Sequence, residues 1–357
     1  MTEASCLNSR HRGRSTRDLA VLLIPAATLL TVLCVPFAAV GRHDANNARV
    51  YTADGRAPPE ELSRRFGTLS AVHGWEESLV HVYPDDPGLA IRAWHTVRHG
   101  EALWIIAGIH GEEPAGPNAI ARALDRIVDL AASGVPVVLI PLGNPKAYRN
   151  NWRYPNTAER DWRKGGYSVG DAEHLLPNLA DGTRPRSAGP PGPEARALTE
   201  FVLSLAKTHP PRLVLDLHED ELSTTGGYIY SQGSRAEENP VGIEIIDLLS
   251  ASGIPIRQSG RTRFDEPIVK GIISRNDQGQ PIRDGSIDEL LSATQVFVNG
   301  AKAPGPAAPT VIVVETPAFA GSRFEQRVAA QEAVLQQVEK LWRLSAGIPR
   351  QPVEPGD

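Results

Sequence analysis

His110 and Glu113 stand three residues apart in Gly108-Ile109-His110-Gly111-Glu112-Glu113-Pro114-Ala115-Gly116; His218 closes the run Leu213-Val214-Leu215-Asp216-Leu217-His218; Glu315 follows Val311-Ile312-Val313-Val314. Two imidazoles and one carboxylate hold zinc while leaving a coordination position open, as a catalytic ion requires. His110, Glu113 and His218 are therefore expected to bind one zinc ion. Glu315 ends an apolar run, where a charge costs free energy unless it is paired or at a site. It is the candidate general base, able to take a proton from water and pass it to a leaving amine. Singly, each signal has an ordinary explanation: a chance His-x-x-Glu, a hydrogen-bonded loop histidine, a solvated strand-end glutamate.

The elements that flank these residues turn separate signals into one constellation. Ala102 to Ile109, Val135 to Leu142, Leu213 to Leu217 and Val311 to Val314 are short continuous apolar runs, as buried strands require. Residues 78–83 and 91–97 alternate with period two and suit half-buried strands, predicting an antiparallel edge. Apolar residues at helical spacing predict helices over 116–132, 194–207, 240–252 and 324–344. Strands alternating with helices imply an α/β fold, a mostly parallel mixed sheet with helices on both faces. His110, His218 and Glu315 each sit at the carboxyl end of an apolar strand, the edge where open α/β sheets form ligand sites. Gly108 and Gly111 permit the tight turn that lets His110 and Glu113 face one ion.

Composition narrows the class further. The net charge of −5 over 357 residues provides no electrostatic footprint for nucleic acid, and none is expected as a partner. The only cysteines are Cys6 and Cys34, so the body of the chain has no disulfide framework, Cys-rich metal site or thiol nucleophile. Both fall in or before an apolar segment from Leu19 to Val40, which follows Arg10, Arg12, Arg14 and Arg17. A basic flank before about 20 apolar residues reads as a signal peptide or membrane anchor. That charge holds the N-terminus inside, so the remainder is expected outside the cytoplasm, on the periplasmic or cell-envelope side. The predicted divisions are a basic segment at 1–18, the apolar segment at 19–40, a linker at 41–60, a catalytic unit at 61–345 and a flexible tail at 346–357.

Two further clusters could act on a substrate. Asp216, Glu219, Asp220 and Glu221 crowd His218. Carboxylates there can orient a ligating ring or, as with Glu219, attract a cationic substrate group; a solvated acidic loop is the alternative. Arg149, Arg153, Arg160 and Arg163 punctuate residues 146–164 among Trp152, Tyr154 and Trp162. One arginine beside the ion would suffice to steady an oxyanion.

In order along residues 100 to 335, these motifs resemble the zinc carboxypeptidase superfamily, which includes carboxypeptidase A-like peptidases and the succinylglutamate desuccinylase/aspartoacylase branch. His110-Gly111-Glu112-Glu113 is similar to the first ligand motif and Asp216-Leu217-His218 to the third ligand. Asn144-Pro145 resembles the Asn-Pro after the second core strand and marks Asn144 as a candidate substrate contact. Asp161-Trp162-Arg163-Lys164 resembles the stretch carrying the oxyanion arginine, which implies that role for Arg163. Gly285-Ser286-Ile287 and Glu315-Thr316-Pro317 resemble the late segment that ends in the catalytic glutamate. One departure matters: Glu173 and His174 stand where an Asn-Arg pair would grip a terminal carboxylate. A glutamate offers no cationic bidentate grip. The resemblance implies zinc-dependent hydrolysis of an amide bond in a peptide, with an N-acyl amino acid deacylase as the alternative enzyme. A catalytically inactive peptide-binding module is the rival from another class.

Overall fold

The computed structural model describes residues 54–161, 164, 166–170, 174–175, 192–221, 223, 225–318 and 322–351. The basic and apolar segments of the N-terminus, Arg163 and Glu173 lie outside the described residues. All described residues belong to one unit, Asn46–Asp357.

In chain order the elements are α1 (Pro59–Phe66), α2 (Thr68–His73), β1 (Glu76–Tyr83), β2 (Asp86–His95), β3 (Ala102–Ala107), α3 (Ala115–Arg122), α4 (Leu124–Ala132), β4 (Val137–Ile140) and α5 (Pro145–Asn150). There follow α6 (Pro193–Leu205), β5 (Pro211–Asp220), β6 (Tyr228–Gly233), α7 (Pro240–Ala251), β7 (Ser259–Arg261), β8 (Pro267–Val269) and β9 (Ile272–Ile273). The last are α8 (Ile287–Ser292), β10 (Gln295–Val298), β11 (Ala301–Pro304), β12 (Thr310–Pro317), α9 (Phe324–Gln336) and α10 (Val338–Ser345).

Ten strands form one sheet in the order β1-β2-β4-β3-β5-β12-β6-β9-β8-β7, and β10 pairs with β11 apart from it. The four central strands β4, β3, β5 and β12 run parallel. The β1–β2 hairpin forms the expected antiparallel edge, and β6 continues the sheet antiparallel to β12. Side-chain parity explains why the central runs are apolar throughout. Leu103, Ile105, Leu215, Leu217, Ile312 and Val314 pack with Ile120 of α3, Ile127 of α4, Ile245 of α7 and Val334 of α9. Trp104, Ile106, Val138, Val214 and Val311 pack on the other face with Leu198 and Val202 of α6 and Leu290 of α8. Every central strand is thus buried on both faces, which a βαβ layout demands.

Several boundaries differ from the sequence pattern. The helix predicted over 116–132 is two helices, interrupted at Ala123 (φ −89°, ψ 9°). That predicted over 324–344 breaks at Gln337 (φ −104°, ψ 15°). Neither residue is a helix breaker, so packing of each pair over the sheet overrides local preference. The short elements α1, α2, α5, α8, β6 to β9 and β10–β11 carry too little periodicity to be read from sequence.

Two divisions also need correction. The linker predicted to run to residue 60 ends earlier, because Arg56 is buried and α1 begins at Pro59. The Arg56 Nη1 donates to the carbonyls of Gly111 at 3.0 Å and Tyr148 at 3.1 Å, and Nη2 donates to Asn151 Oδ1 at 2.9 Å. The tail predicted at 346–357 is docked at its start: Ile348 is buried, and Arg350 donates to the carbonyls of Pro211 and Ala307 at 3.0 and 3.1 Å.

Arg56→Met is expected to lower stability by about 2–3 kcal/mol, because it strands two buried carbonyls that now accept from a charged donor. The urea midpoint of the folded protein measures this; an unchanged midpoint would show that the Arg56 contacts contribute nothing net.

Candidate metal centre

The loop after β3 is shaped by what can approach it. Gly108 has φ +66°, a left-handed conformation that a glycine adopts without strain. A Cβ on Gly111 would lie 2.1 Å from the Ala147 carbonyl carbon and the Tyr148 nitrogen, so the loop rests directly on the α5 backbone. The Glu113 N–H donates to the His110 carbonyl at 3.3 Å, closing the turn that brings the two side chains together. A Cβ on Gly116 would meet the Ala107 and Leu217 Cβ atoms at 2.9 and 3.0 Å. That absence of a side chain lets α3 cross β3 and β5 closely, one strand position from His218.

The three expected ligands converge. Glu113 Oε1 lies 2.8 Å from His110 Nδ1, and Glu113 Oε2 lies 2.8 Å from His218 Nδ1. The two rings are 5.0 Å apart at 69°. One donor atom from each residue falls within 4.8 Å of the others, the only such group of three among the described residues. On its far side, His218 Nε2 is 3.2 Å from Asp216 Oδ1, an ion-pair contact behind the candidate ligand.

The electrostatics suit a cation. Burial, with help from the Arg153 charge, drives the His110 pKa down to about 3, leaving a neutral ring with a lone pair. Burial also opposes charge on His218, but Asp216 and Glu113 prevail and hold its pKa well above the ordinary value. Glu113 is pushed up by burial and pulled further down by the two imidazoles, so it stays ionised. A proton on His218 thus compensates buried negative charge at the point where a divalent cation would do so, and binding a cation there displaces a proton. The donor set and its charge fit a metal ion.

Glu315 is paired with His218 across β12 and β5 and lies on the same face of the sheet. Its Oε2 is buried without a hydrogen-bond partner. Burial raises its pKa well above the carboxylate range; His218 pulls it down, while Glu113 and Asp220 push it up. Tyr228, opposite Glu315 on β6, donates its hydroxyl to Asp220 Oδ2 at 2.8 Å.

Among the described arginines singled out by sequence, Arg153 lies at the centre: its Nη1 is 3.0 Å from Glu112 Oε1 and 3.1 Å from Glu113 Oε1. Arg149 pairs with Glu60 and Asp86, and Arg160 with Glu221. Two candidate substrate contacts are corrected. Asn144 is fully buried and caps α5, its Oδ1 accepting from the Ala147 N–H at 3.2 Å and its Nδ2 donating to the Ile109 carbonyl at 3.2 Å. Glu219 is 2% exposed, accepts the Ala115 N–H at 2.7 Å and pairs with Arg327. Both side chains are consumed by the scaffold. His174 lies beside β10, where its carbonyl accepts the Phe297 N–H at 2.6 Å. Asp288 and Glu289 of α8, unforeseen in the sequence, add buried carboxyls on the Asp216 side.

Two outcomes follow from this geometry. Gly111→Ala is expected to abolish metal binding or folding, since its Cβ collides with backbone rather than a movable side chain; wild-type metal uptake by the variant would refute the close approach. Burial, reinforced by the Asp284 charge, raises the Asp288 pKa to about 8, and Glu289 reaches about 7. An acid raised by folding stabilises fully below its unfolded pKa and loses that contribution as pH rises through its folded value. The urea midpoint of the metal-free protein should therefore fall as pH rises from about 4 to about 8 and level off above, with a shallower fall in Asp288→Asn; parallel profiles would remove Asp288 as a source.

Residues 99–261 match the model of the succinylglutamate desuccinylase/aspartoacylase catalytic domain, a span that holds all three candidate ligands. No curated protein sequence matches the chain significantly. Among solved structures, a presumed metallopeptidase from Shewanella amazonensis is similar with a TM-score of 0.60 at 20% identity, covering 79% of this chain and 92% of its own. One from Shewanella baltica gives 0.58 at 21% identity, covering 80% and 91%. The carboxypeptidase A of Helicoverpa armigera gives 0.54 at 13% identity, covering 82% and 74%. Residues 99–261 are thus similar to that catalytic domain, and the described chain shares the carboxypeptidase-like α/β fold.

Proposed function

We propose that the chain hydrolyses an amide bond in a peptide, with one zinc ion held by His110, Glu113 and His218. The observation that carries this reading is a largely buried His-Glu-His donor set with Glu315 beside it in register, one of whose carboxylate oxygens is buried without a hydrogen-bond partner. Bound zinc supplies Lewis-acid polarisation of a scissile carbonyl and acidifies water. Glu315 accepts the proton from the attacking water and returns it to the leaving amine, a role suited to a carboxyl whose pKa burial raises above the ordinary carboxylate range. Arg153 is fixed by Glu112 and Glu113 beside the ligands, and its charge steadies the oxyanion. That is the part the resemblance implies for Arg163, which lies outside the described residues.

The family-model match over 99–261 favours a second reading, removal of an acyl group from an N-acyl amino acid. Both readings share the site and differ in what the substrate carries beyond the cut bond. The apolar segment at 19–40, behind four arginines, supports a catalytic unit facing the cell exterior and hence a peptide of the cell envelope as substrate.

The test is zinc content and turnover of the parent and of Glu315→Gln, using peptides with free C-termini beside N-succinyl and N-acetyl amino acids. About one zinc per chain in both proteins, with turnover in the parent and a loss on the order of 10²–10⁴-fold in the variant, is expected. Cleavage confined to the N-acyl amino acids would make the second reading correct. Zinc without turnover of any substrate would favour a binding module.

A further inference from the structure

We propose that Arg327 and Gln331 of α9 are positioning residues for the metal centre, holding the strand ends of His218 and Glu315 at a fixed separation. The inference rests on the reading of His110, Glu113 and His218 as a metal site.

Helix α9 packs its apolar residues Val328, Ala330, Val334 and Leu335 into the core, yet Arg327 and Gln331 are buried on it too. Four residues apart, these two lie on one stripe of the helix. Both reach behind the site, from the face of the sheet opposite the His218 and Glu315 side chains. The Gln331 Nε2 donates to the His218 carbonyl at 2.8 Å and to the Thr316 hydroxyl at 2.8 Å. One amide group therefore ties β5 at a metal ligand to β12 at the residue after the candidate base. Gln331 and Thr316 are both fully buried. The Gln331 Oε1 has no partner, a penalty that a purely space-filling residue would avoid by being apolar.

Arg327 completes the brace through Glu219. Its Nε pairs with Glu219 Oε1, and its Nη1 is anchored on the carbonyl and hydroxyl of Ser322 at 3.0 Å each. The other Glu219 oxygen accepts the Ala115 N–H at 2.7 Å, at the start of α3 and two residues from Glu113. The Glu219 N–H itself donates to Glu113 Oε2 at 3.3 Å. Arg327 thus sets Glu219, and Glu219 touches the Glu113 ligand from one side and its helix from the other. A single helix, remote in sequence, fixes two ligands and the base relative to one another.

The test is the zinc dissociation constant of the full chain, measured by competition with a chromophoric chelator. Gln331→Met keeps the side-chain volume and removes the donor; Thr316→Val cuts only the β12 end of the tie and serves if the first variant does not fold. Val334→Ala, on the same helix and fully buried, is the control for lost stability alone. Loss of a contact that orients a ligand weakens metal binding about 10- to 100-fold. A rise of that size is expected in Gln331→Met and a smaller one in Thr316→Val, with Val334→Ala unmoved. A constant within about twofold of the parent in the folded variants, or an equal rise in Val334→Ala, overturns the proposal. Absence of zinc binding in the parent would instead overturn the metal site on which it rests.

Discussion

A carboxylate buried between two imidazoles sets the terms for the rest of this molecule. Glu113 is 4% exposed, and an isolated charge in that position would be prohibitively costly. His110 and His218 each place Nδ1 at 2.8 Å from one of its oxygens, and Arg153 reaches Oε1 from outside. The same compensation extends outward: Asp216 behind His218, Glu112 beside Arg153, Glu219 with Arg327. Removing any one partner would leave a neighbour uncompensated, which is why so many ionisable groups are packed tightly where a core would otherwise be apolar.

The scaffold serves that cluster by bringing strand ends together and letting helices come close. The parallel centre of the sheet delivers His110, His218 and Glu315 to one edge, and the β5–β12 register sets His218 opposite Glu315. Gly111 and Gly116 allow approaches that any Cβ would block, one against α5 and the other against β3 and β5. Arg56 then pins the ligand loop through the Gly111 carbonyl. Because such interiors pack densely, displacement at α5 or α9 is transmitted to the ligands rather than absorbed.

Several polar residues that look available in sequence are spent on this framework. Asn144 and Glu219 bond backbone N–H groups, Asn144 at a helix cap and Glu219 at the first turn of α3. Helix caps and buried N–H groups must find acceptors, and nearby side chains fill that need before any substrate does. Arg153 shows the converse. Arg149, Arg153 and Arg160 have the same local pattern, and only the path of the chain after α5 decides which of these described arginines meets Glu113.

By itself the sequence determined the fold class, the strand-end positions of the site, and which residues, His110, Glu113, His218 and Glu315, come together there. Those features follow from local regularities: apolar runs that must be buried as strands, glycines where the chain turns, and charges placed where an apolar strand stops. The tertiary structure alone decided the breaks at Ala123 and Gln337, the choice of Arg153, the docking of Arg56 and Arg350, and the reach of Gln331 to His218. Each of these depends on contacts between residues far apart in sequence. Local pattern carries no record of them, because helix packing and buried hydrogen bonding are settled only when the layers close on one another.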